Sequence, residues 1–185
     1  MRTLMVDFIT SLDGYGAADG WPGFWGMESP DYLAWLGEQP EHPLLMGATT
    51  YRLMHRFAGG EEGDSALDRT RKIVFSSTLT APLTWVNAEL VRGDAVEHVH
   101  GLKAEGDGEL RTIGSVSLCR TLLAAGLVDR FRVVVFPVIT GVGGKDRIYD
   151  AYPDVALELV ESRTFDGGAQ LLEYVPTLLD GPPAG

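Results

Sequence analysis

Two short segments carry the residue types that hold a diphosphate. Met46-Gly47-Ala48-Thr49-Thr50 and Ile113-Gly114-Ser115-Val116-Ser117 each place a glycine at the end of an apolar run, with hydroxyl side chains just beyond it. A missing side chain lets phosphate close on the backbone, and the free N–H groups and dipole of a following helix hold its charge. Taken singly, each junction reads first as a glycine turn with Ser or Thr starting a helix, and only then as a phosphate site. Two of them in one sheet could clamp one dinucleotide.

Other polar clusters offer less. Gly141-Val142-Gly143-Gly144-Lys145-Asp146 lacks both the Ser or Thr that follows the lysine of a P-loop and the glycine spacing of a dinucleotide fingerprint, so it reads as a turn. His98 and His100 are two apart on a predicted helix and face different ways, which suits surface positions; no metal is expected. Cys119 lies among Leu118, Leu122 and Leu123 and reads as packing, not as a nucleophile. Asp13, in Ser11-Leu12-Asp13-Gly14, reads first as a turn residue bonded to its own backbone.

The elements that must position these residues follow from periodicity. Leu4–Ile9 is a predicted strand, followed by a glycine- and aromatic-rich loop to about Met27. Ser29-Pro30-Asp31 is an N-cap with proline at the first helical position, and opens a helix reaching Glu38. Residues 43–46 then form a strand that runs through Gly47 into a second helix carrying Tyr51, Leu53, Met54 and Phe57. Residues 59–70 read as a solvated acidic loop. Further strands are predicted over 72–77, 85–91, 109–113 and 131–138, with helices over 95–103 and 115–125. Segments 156–163 and 169–175 flank Asp166-Gly167-Gly168 as a hairpin. Strand–helix alternation ending in a hairpin predicts an α/β fold: a mostly parallel sheet with helices on both faces and a C-terminal antiparallel hairpin. Ligands of such sheets bind at the carboxyl ends of the strands.

Composition narrows the partners. The chain has 185 residues, 45% of them hydrophobic, enough for one domain with a real core. That domain is expected over 1–175, with 176–185 as a flexible tail. Fifteen Lys plus Arg stand against 26 Asp plus Glu, a formal net charge of −11 that disfavours nucleic acid and anionic membrane surfaces. With a single cysteine and no signal-length apolar run, a reduced cytoplasmic setting is expected.

In order along the chain, Ser11-Leu12-Asp13-Gly14, Leu45-Met46-Gly47 with Thr50-Tyr51, Val74-Phe75-Ser76-Ser77-Thr78-Leu79, Gly114-Ser115-Val116-Ser117-Leu118, Leu127-Val128-Asp129, Phe136-Pro137-Val138-Ile139 with Gly141 and Gly143, and Ser162-Arg163-Thr164-Phe165 resemble the dihydrofolate reductase-like fold. Within it they resemble the C-terminal reductase domain of the riboflavin-biosynthesis deaminase-reductase, RibD. The resemblance covers Arg2 to about Val175.

It implies an NADPH-dependent reductase, active as a homodimer on a small-molecule substrate. Gly47, Thr49 and Thr50 would face the diphosphate from one side, Gly114, Ser115, Val116 and Ser117 from the other. Ser76 and Ser77 would lie near the adenosine ribose and its phosphate. Ala48 stands where the family commonly carries Arg or Lys, which leaves NADH open as well; Arg52, Arg71 or Lys72 could compensate.

Asp31 matches the proton-assisting carboxyl of dihydrofolate reductases by its spacing ahead of Met46, with Glu28 as a nearby substitute. Trp25 and Trp35 are expected to make its surroundings apolar and raise its pKa, and with Asp13 to border the substrate pocket. The bland alternative for Asp31 is a first-turn acid that stabilises its helix. The implied reaction is hydride transfer to a C=N or C=O bond of a small heterocyclic or sugar-like substrate. Alternatives are reduction of 5-amino-6-(5-phosphoribosylamino)uracil, dihydrofolate reduction, or a dinucleotide-binding sensor without turnover.

Overall fold

Each apolar run picked out in the sequence becomes a strand in the computed structural model, which describes residues 1–21, 23–58 and 66–181. In chain order the elements are β1 (Thr3–Ser11), β2 (Tyr15–Ala18), α1 (Pro30–Gly37), β3 (Leu44–Gly47), α2 (Ala48–Ala58), α3 (Ala66–Arg69), β4 (Lys72–Phe75) and β5 (Ala88–Val91). They continue as α4 (Ala95–Ala104), β6 (Glu109–Thr112), α5 (Val116–Ala124), β7 (Arg130–Phe136), β8 (Gly144–Arg147), β9 (Val155–Thr164) and β10 (Gln170–Leu178). The chain divides into two compact units, one of Met1–Val6 with Glu41–Val128, the other of Asp7–Pro40 with the residues from Asp129 onward.

In the first unit the strands run in the order β5-β4-β3-β6-β1, all parallel. The order reverses at β3: β4 and β5 step away on one side, and β6 lies on the other. Such a reversal opens a crevice at the carboxyl ends of the two flanking strands. Leu45, Met46, Ile73, Val74 and Leu110 have no exposed surface, as expected of parallel strands covered on both faces.

Met46, Tyr51, Val74 and Trp85 form a buried cluster here. Trp85, read from the sequence as part of a strand, precedes β5 instead. Its backbone N–H donates to the Tyr51 hydroxyl at 3.1 Å and its indole N–H to the Asp68 carboxylate at 2.6 Å. The Asp68 partner belongs to α3, a single turn inside the stretch expected to be loop; residues 59–65 lie outside the described residues. Lys72 explains why that turn is stable. Its buried ammonium donates to the carbonyls of Leu67, Asp68 and Thr70, and stands 4.5 Å from the centre of the Trp85 ring. Those are carbonyls that a helix end otherwise leaves unpaired. Burial pushes the Lys72 pKa down, opposed by the nearby Asp68 charge.

In the second unit β10 pairs antiparallel with both β7 and β9. β10 extends to Leu178, three residues into the segment expected to be a tail. Trp25, Tyr32, Trp35, Val134, Phe136 and Phe165 lead its core. Arg132 is buried, yet its guanidinium grips both oxygens of Asp7, donates to Gln39 Oε1 at 3.1 Å and lies 5.0 Å from the Trp35 ring centre. A buried cation is tolerable when it is paired with a carboxylate and hydrogen-bonded in this way.

The loop after β1 holds a strand that the sequence reading missed. β2 pairs antiparallel with β8, which itself arises from the glycine-rich segment expected to be a turn. Gly144 is required there, because a Cβ on it would come within 2.5 Å of the Tyr15 ring.

Candidate functional site

β3 and β6 are neighbours, so the helices that leave them, α2 and α5, start side by side in the first unit. Ser115 joins the two starts. Its hydroxyl accepts from the Gly47 N–H at 2.8 Å and lies 2.9 Å from Thr50 Oγ1, to which it donates. Though Ser115 precedes α5, its side chain does not cap that helix. Gly114 and Ser115 are both left-handed, at φ 51 and 65. Such a backbone costs a serine about 1 kcal/mol. The strain turns the hydroxyl from its own helix towards the other junction.

The two glycines differ in what surrounds them. A Cβ on Gly114 would meet Thr50 Oγ1 at 3.1 Å, so this glycine is needed by the protein itself. At Gly47 the nearest atom would be Ser115 Oγ, at the ordinary contact distance of 3.7 Å. Among the described residues nothing in the first unit requires Gly47 to lack a side chain. Because its N–H is occupied by Ser115, the donors left for an anion are those of the first turns of α2 and α5: Ala48, Thr49 and Thr50 on one side, Val116 and Ser117 on the other.

At the next strand end, Ser76 Oγ accepts from the Thr78 and Leu79 N–H groups, each at 3.0 Å, and closes a tight turn. Ser77 is exposed, with no side-chain hydrogen bond among the described residues. Arg92, directly after β5, donates to the Ser77 carbonyl at 3.2 Å and to the Leu79 carbonyl at 2.6 Å. The sequence reading passed over Arg92; its place immediately beyond a parallel strand was the available signal. Of the basic residues considered as replacements for position 48, Arg71 is paired with Glu89 and Lys72 is buried, both at the amino end of β4, while Arg52 is exposed a turn into α2.

Asp13 and Asp31, in the second unit, are both engaged in hydrogen bonds. Asp13 does not serve its own turn alone. One oxygen accepts from Ser11 Oγ at 2.6 Å and the Thr140 N–H at 3.2 Å, the other from the Gly141 N–H at 2.9 Å. The Ser11 hydroxyl foremost, then the Gly141 and Thr140 amides, pull its pKa down to about 2. Asp31 overturns the expectation of a raised pKa. Ser29 Oγ donates to it at 2.5 Å, the Tyr32 N–H at 2.9 Å and the Asp166 N–H at 3.0 Å, and these bonds lower its pKa, that to Ser29 most. Glu28 is exposed.

Trp25 and Trp35 are buried in the core of this unit, where Trp35 stacks on Tyr32 with ring centres 5.9 Å apart. Phe24 and Trp25 take left-handed backbone angles, φ 53 and 58, and the buried indole N–H of Trp25 has no hydrogen-bond partner among the described residues. His98 is not a simple surface histidine: it packs edge-on to Phe75, 5.8 Å between ring centres, with Nε2 buried. Among the described residues no His, Cys, Asp and Glu group could hold a metal ion, and no helix is long and apolar enough to cross a membrane. Cys119 is buried, its thiol 3.3 Å from the Gly114 carbonyl, as packing requires.

Comparison with known proteins agrees with this arrangement. The chain is 25% identical over 182 residues to the uncharacterized protein YyaP of Bacillus subtilis (strain 168), covering 94% of each chain. Among solved structures, a Shewanella sp. PV-4 protein provisionally assigned to riboflavin biosynthesis superposes with a TM-score of 0.71 at 22% identity, covering 95% of this chain and 99% of that one. Dihydrofolate reductase from Enterococcus faecalis, solved with NADP(H), gives 0.65 at 14% identity over 94% and 96% of the two chains. The fold is therefore dihydrofolate reductase-like. With residues 2–171 matching the RibD C-terminal domain, the chain that sets Gly47 against Ser115 belongs to that family.

Proposed function

We propose that the protein is an NADPH-dependent reductase that delivers hydride to a C=N or C=O bond of a small heterocyclic or sugar-like molecule. The observation that carries this reading is the pair of glycine junctions flanking the reversal in strand order, joined through Ser115 and open above Gly47. Among the described residues only Ser115 lies near the place a Cβ on Gly47 would take, at ordinary contact distance, which fits a backbone approached by a diphosphate. The dinucleotide, when bound, supplies the hydride. The first turns of α2 and α5 bind its anionic middle through N–H groups, in a protein whose net charge of −11 would otherwise repel it.

Asp31 enters this reading as an ionised carboxylate that fixes the start of α1 and holds the Asp166 amide. It has no proton to give at neutral pH, so solvent supplies the proton that completes the reduction. The aminouracil of riboflavin biosynthesis and dihydrofolate are the first substrates to test.

Tryptophan fluorescence titrated with NADPH and NADH tests binding, and loss of dihydronicotinamide absorbance against those two substrates and a panel of imines and ketones tests turnover. Saturable quenching is expected at about micromolar levels. No response to either dinucleotide would sink the reading. Binding without oxidation of the cofactor by any substrate would favour a dinucleotide sensor.

A second copy of this chain is the partner we propose. β9 stands at the end of the strand order, ten residues long, with Leu157, Leu159 and Val160 about half exposed. Long apolar edges are rarely left open. Light scattering should report a dimer, and Leu159→Lys a monomer.

A further inference from the structure

The amino ends of β4 and β5 form a second concave place in the first unit, at the opposite edge of the parallel sheet from the glycine junctions. Arg69, Arg71, Asn87, Ala88 and Glu89 line a cleft of about 420 Å³, a volume suited to a small molecule. Backbone bonds fix its frame. The Leu44 N–H donates to the Arg71 carbonyl and the Lys72 N–H to the Asn87 carbonyl, each at 2.8 Å. Asn87 is left-handed, at φ 55, and its side-chain amide donates to the Asp68 carbonyl at 2.9 Å and the Arg69 carbonyl at 3.4 Å. The end of α3 is thereby tied to the start of β5.

The cleft carries both signs of charge. Arg71 donates to Glu89 at 2.7 Å, and both side chains are about half exposed. A pair this solvated is worth about 0–1 kcal/mol, so an incoming oxyanion displaces Glu89 at little cost. Glu89 engages a single N–H of the guanidinium, whose planar fork grips a carboxylate or phosphate through two. Arg69, half exposed and 3.3 Å from Glu41, adds a second cation to the same wall. Two acceptors face the other way. They are the Glu89 carboxylate, once displaced, and Asn87 Oδ1, which takes no hydrogen bond among the described residues. A ligand that satisfies all of these groups has an oxyanion with hydroxyl donors beside it.

We propose that this cleft binds a small hydroxylated carboxylate or phosphate, its oxyanion on Arg71 with Arg69 behind it and its hydroxyls on Glu89 and Asn87. The site lies apart from the glycine junctions and does not depend on a dinucleotide.

Amide spectra of isotope-labelled protein, titrated with glycerol phosphate and with glycerate, test the site. The two ligands carry the same hydroxyls and differ in the oxyanion. Inorganic phosphate and acetate supply the oxyanion alone, glycerol the hydroxyls alone. Saturable shifts are expected at the amides of Arg69, Arg71, Asn87, Ala88 and Glu89, with a Kd of about 1 mM for the better ligand and about tenfold weaker binding of the fragments. Whichever of the two binds tighter identifies the oxyanion. Arg71→Gln, with its fold checked by a thermal melt, should weaken binding at least about tenfold, and Arg71→Lys, which keeps the charge without the fork, should fall between. No saturable shift at these amides with either ligand, glycerol binding equally well, or affinity unchanged in Arg71→Gln would each overturn the proposal. So would displacement of the ligand by NADPH, which would put it in the dinucleotide crevice. Failure of NADPH itself to bind would overturn the reductase reading and leave this site standing.

Discussion

At Gly47 a Cβ would meet only Ser115, at ordinary contact distance, among the described residues, whereas at Asp13 and Asp31 every carboxylate oxygen already accepts a hydrogen bond. The first kind of residue holds open a place for something outside the protein. The second is consumed in holding the protein together. Both are plausible functional residues by type, and what separates them is whether their bonding capacity is spent. Gly114 shows the distinction inside one junction pair: its φ of 51 and the 3.1 Å approach to Thr50 make it structural, though it faces Gly47 across the same crevice.

The largest effect should therefore come from the smallest substitution. Gly47→Ala adds one methyl at ordinary contact distance from Ser115, so its melting temperature should match the wild type, while affinity for the dinucleotide falls about ten- to a hundredfold. Gly114→Ala should behave in the opposite sense, losing about 1–2 kcal/mol of stability to left-handed strain and to the crowding of Thr50. Paired denaturation and fluorescence titrations check both. If Gly47→Ala unfolds the protein, or binds normally, the contrast between open and committed glycines fails.

Asp13→Asn should have a smaller effect, confined to acid. The folded pKa of Asp13 lies near 2, below the ordinary 3.8, so its stabilisation is fully present above that ordinary value and is lost as pH falls towards 2. Wild type should lose stability across that window, and Asp13→Asn, less stable above pH 4, should show a flatter acid limb. Identical acid limbs would mean that the brace from Asp13 to Thr140 and Gly141 adds nothing.

What was legible in the sequence was local. Ser29-Pro30 announced α1 because capping needs only neighbours: Ser29 Oγ accepts from the Tyr32 N–H, and proline needs no donor at a helix start. The carboxyl-edge glycines were legible because a strand, a glycine and a helix follow one another directly. β2 and β8 were not, since four-residue strands more than a hundred residues apart leave no periodicity to read. Nor was α3, a single turn held by the buried Lys72 ammonium and by Asp68, the acceptor of the Trp85 indole.

Asp31 was misjudged for the same reason, and its variant gives the smallest expected effect. Sequence proximity to Trp25 and Trp35 suggested an apolar shell that would keep the carboxyl protonated. Two of its three donors, Ser29 and Tyr32, were in plain view in sequence, but the third, the amide of Asp166, comes from the hairpin turn far along the chain. Together they favour the carboxylate, with the Ser29 hydroxyl the strongest influence. Asp31→Asn keeps one carbonyl oxygen, enough for the Tyr32 or the Asp166 amide but not both, and loses the charge at the helix start, which at this solvated end should lower the melting temperature only slightly. The pH dependence of turnover should then be that of the wild type, because an aspartate already ionised cannot be the acid whose titration shapes it. A turnover that falls a hundredfold in Asp31→Asn, with the alkaline limb of the pH profile lost, would return the proton to Asp31 and show that the bound substrate raises a pKa which the free protein holds down.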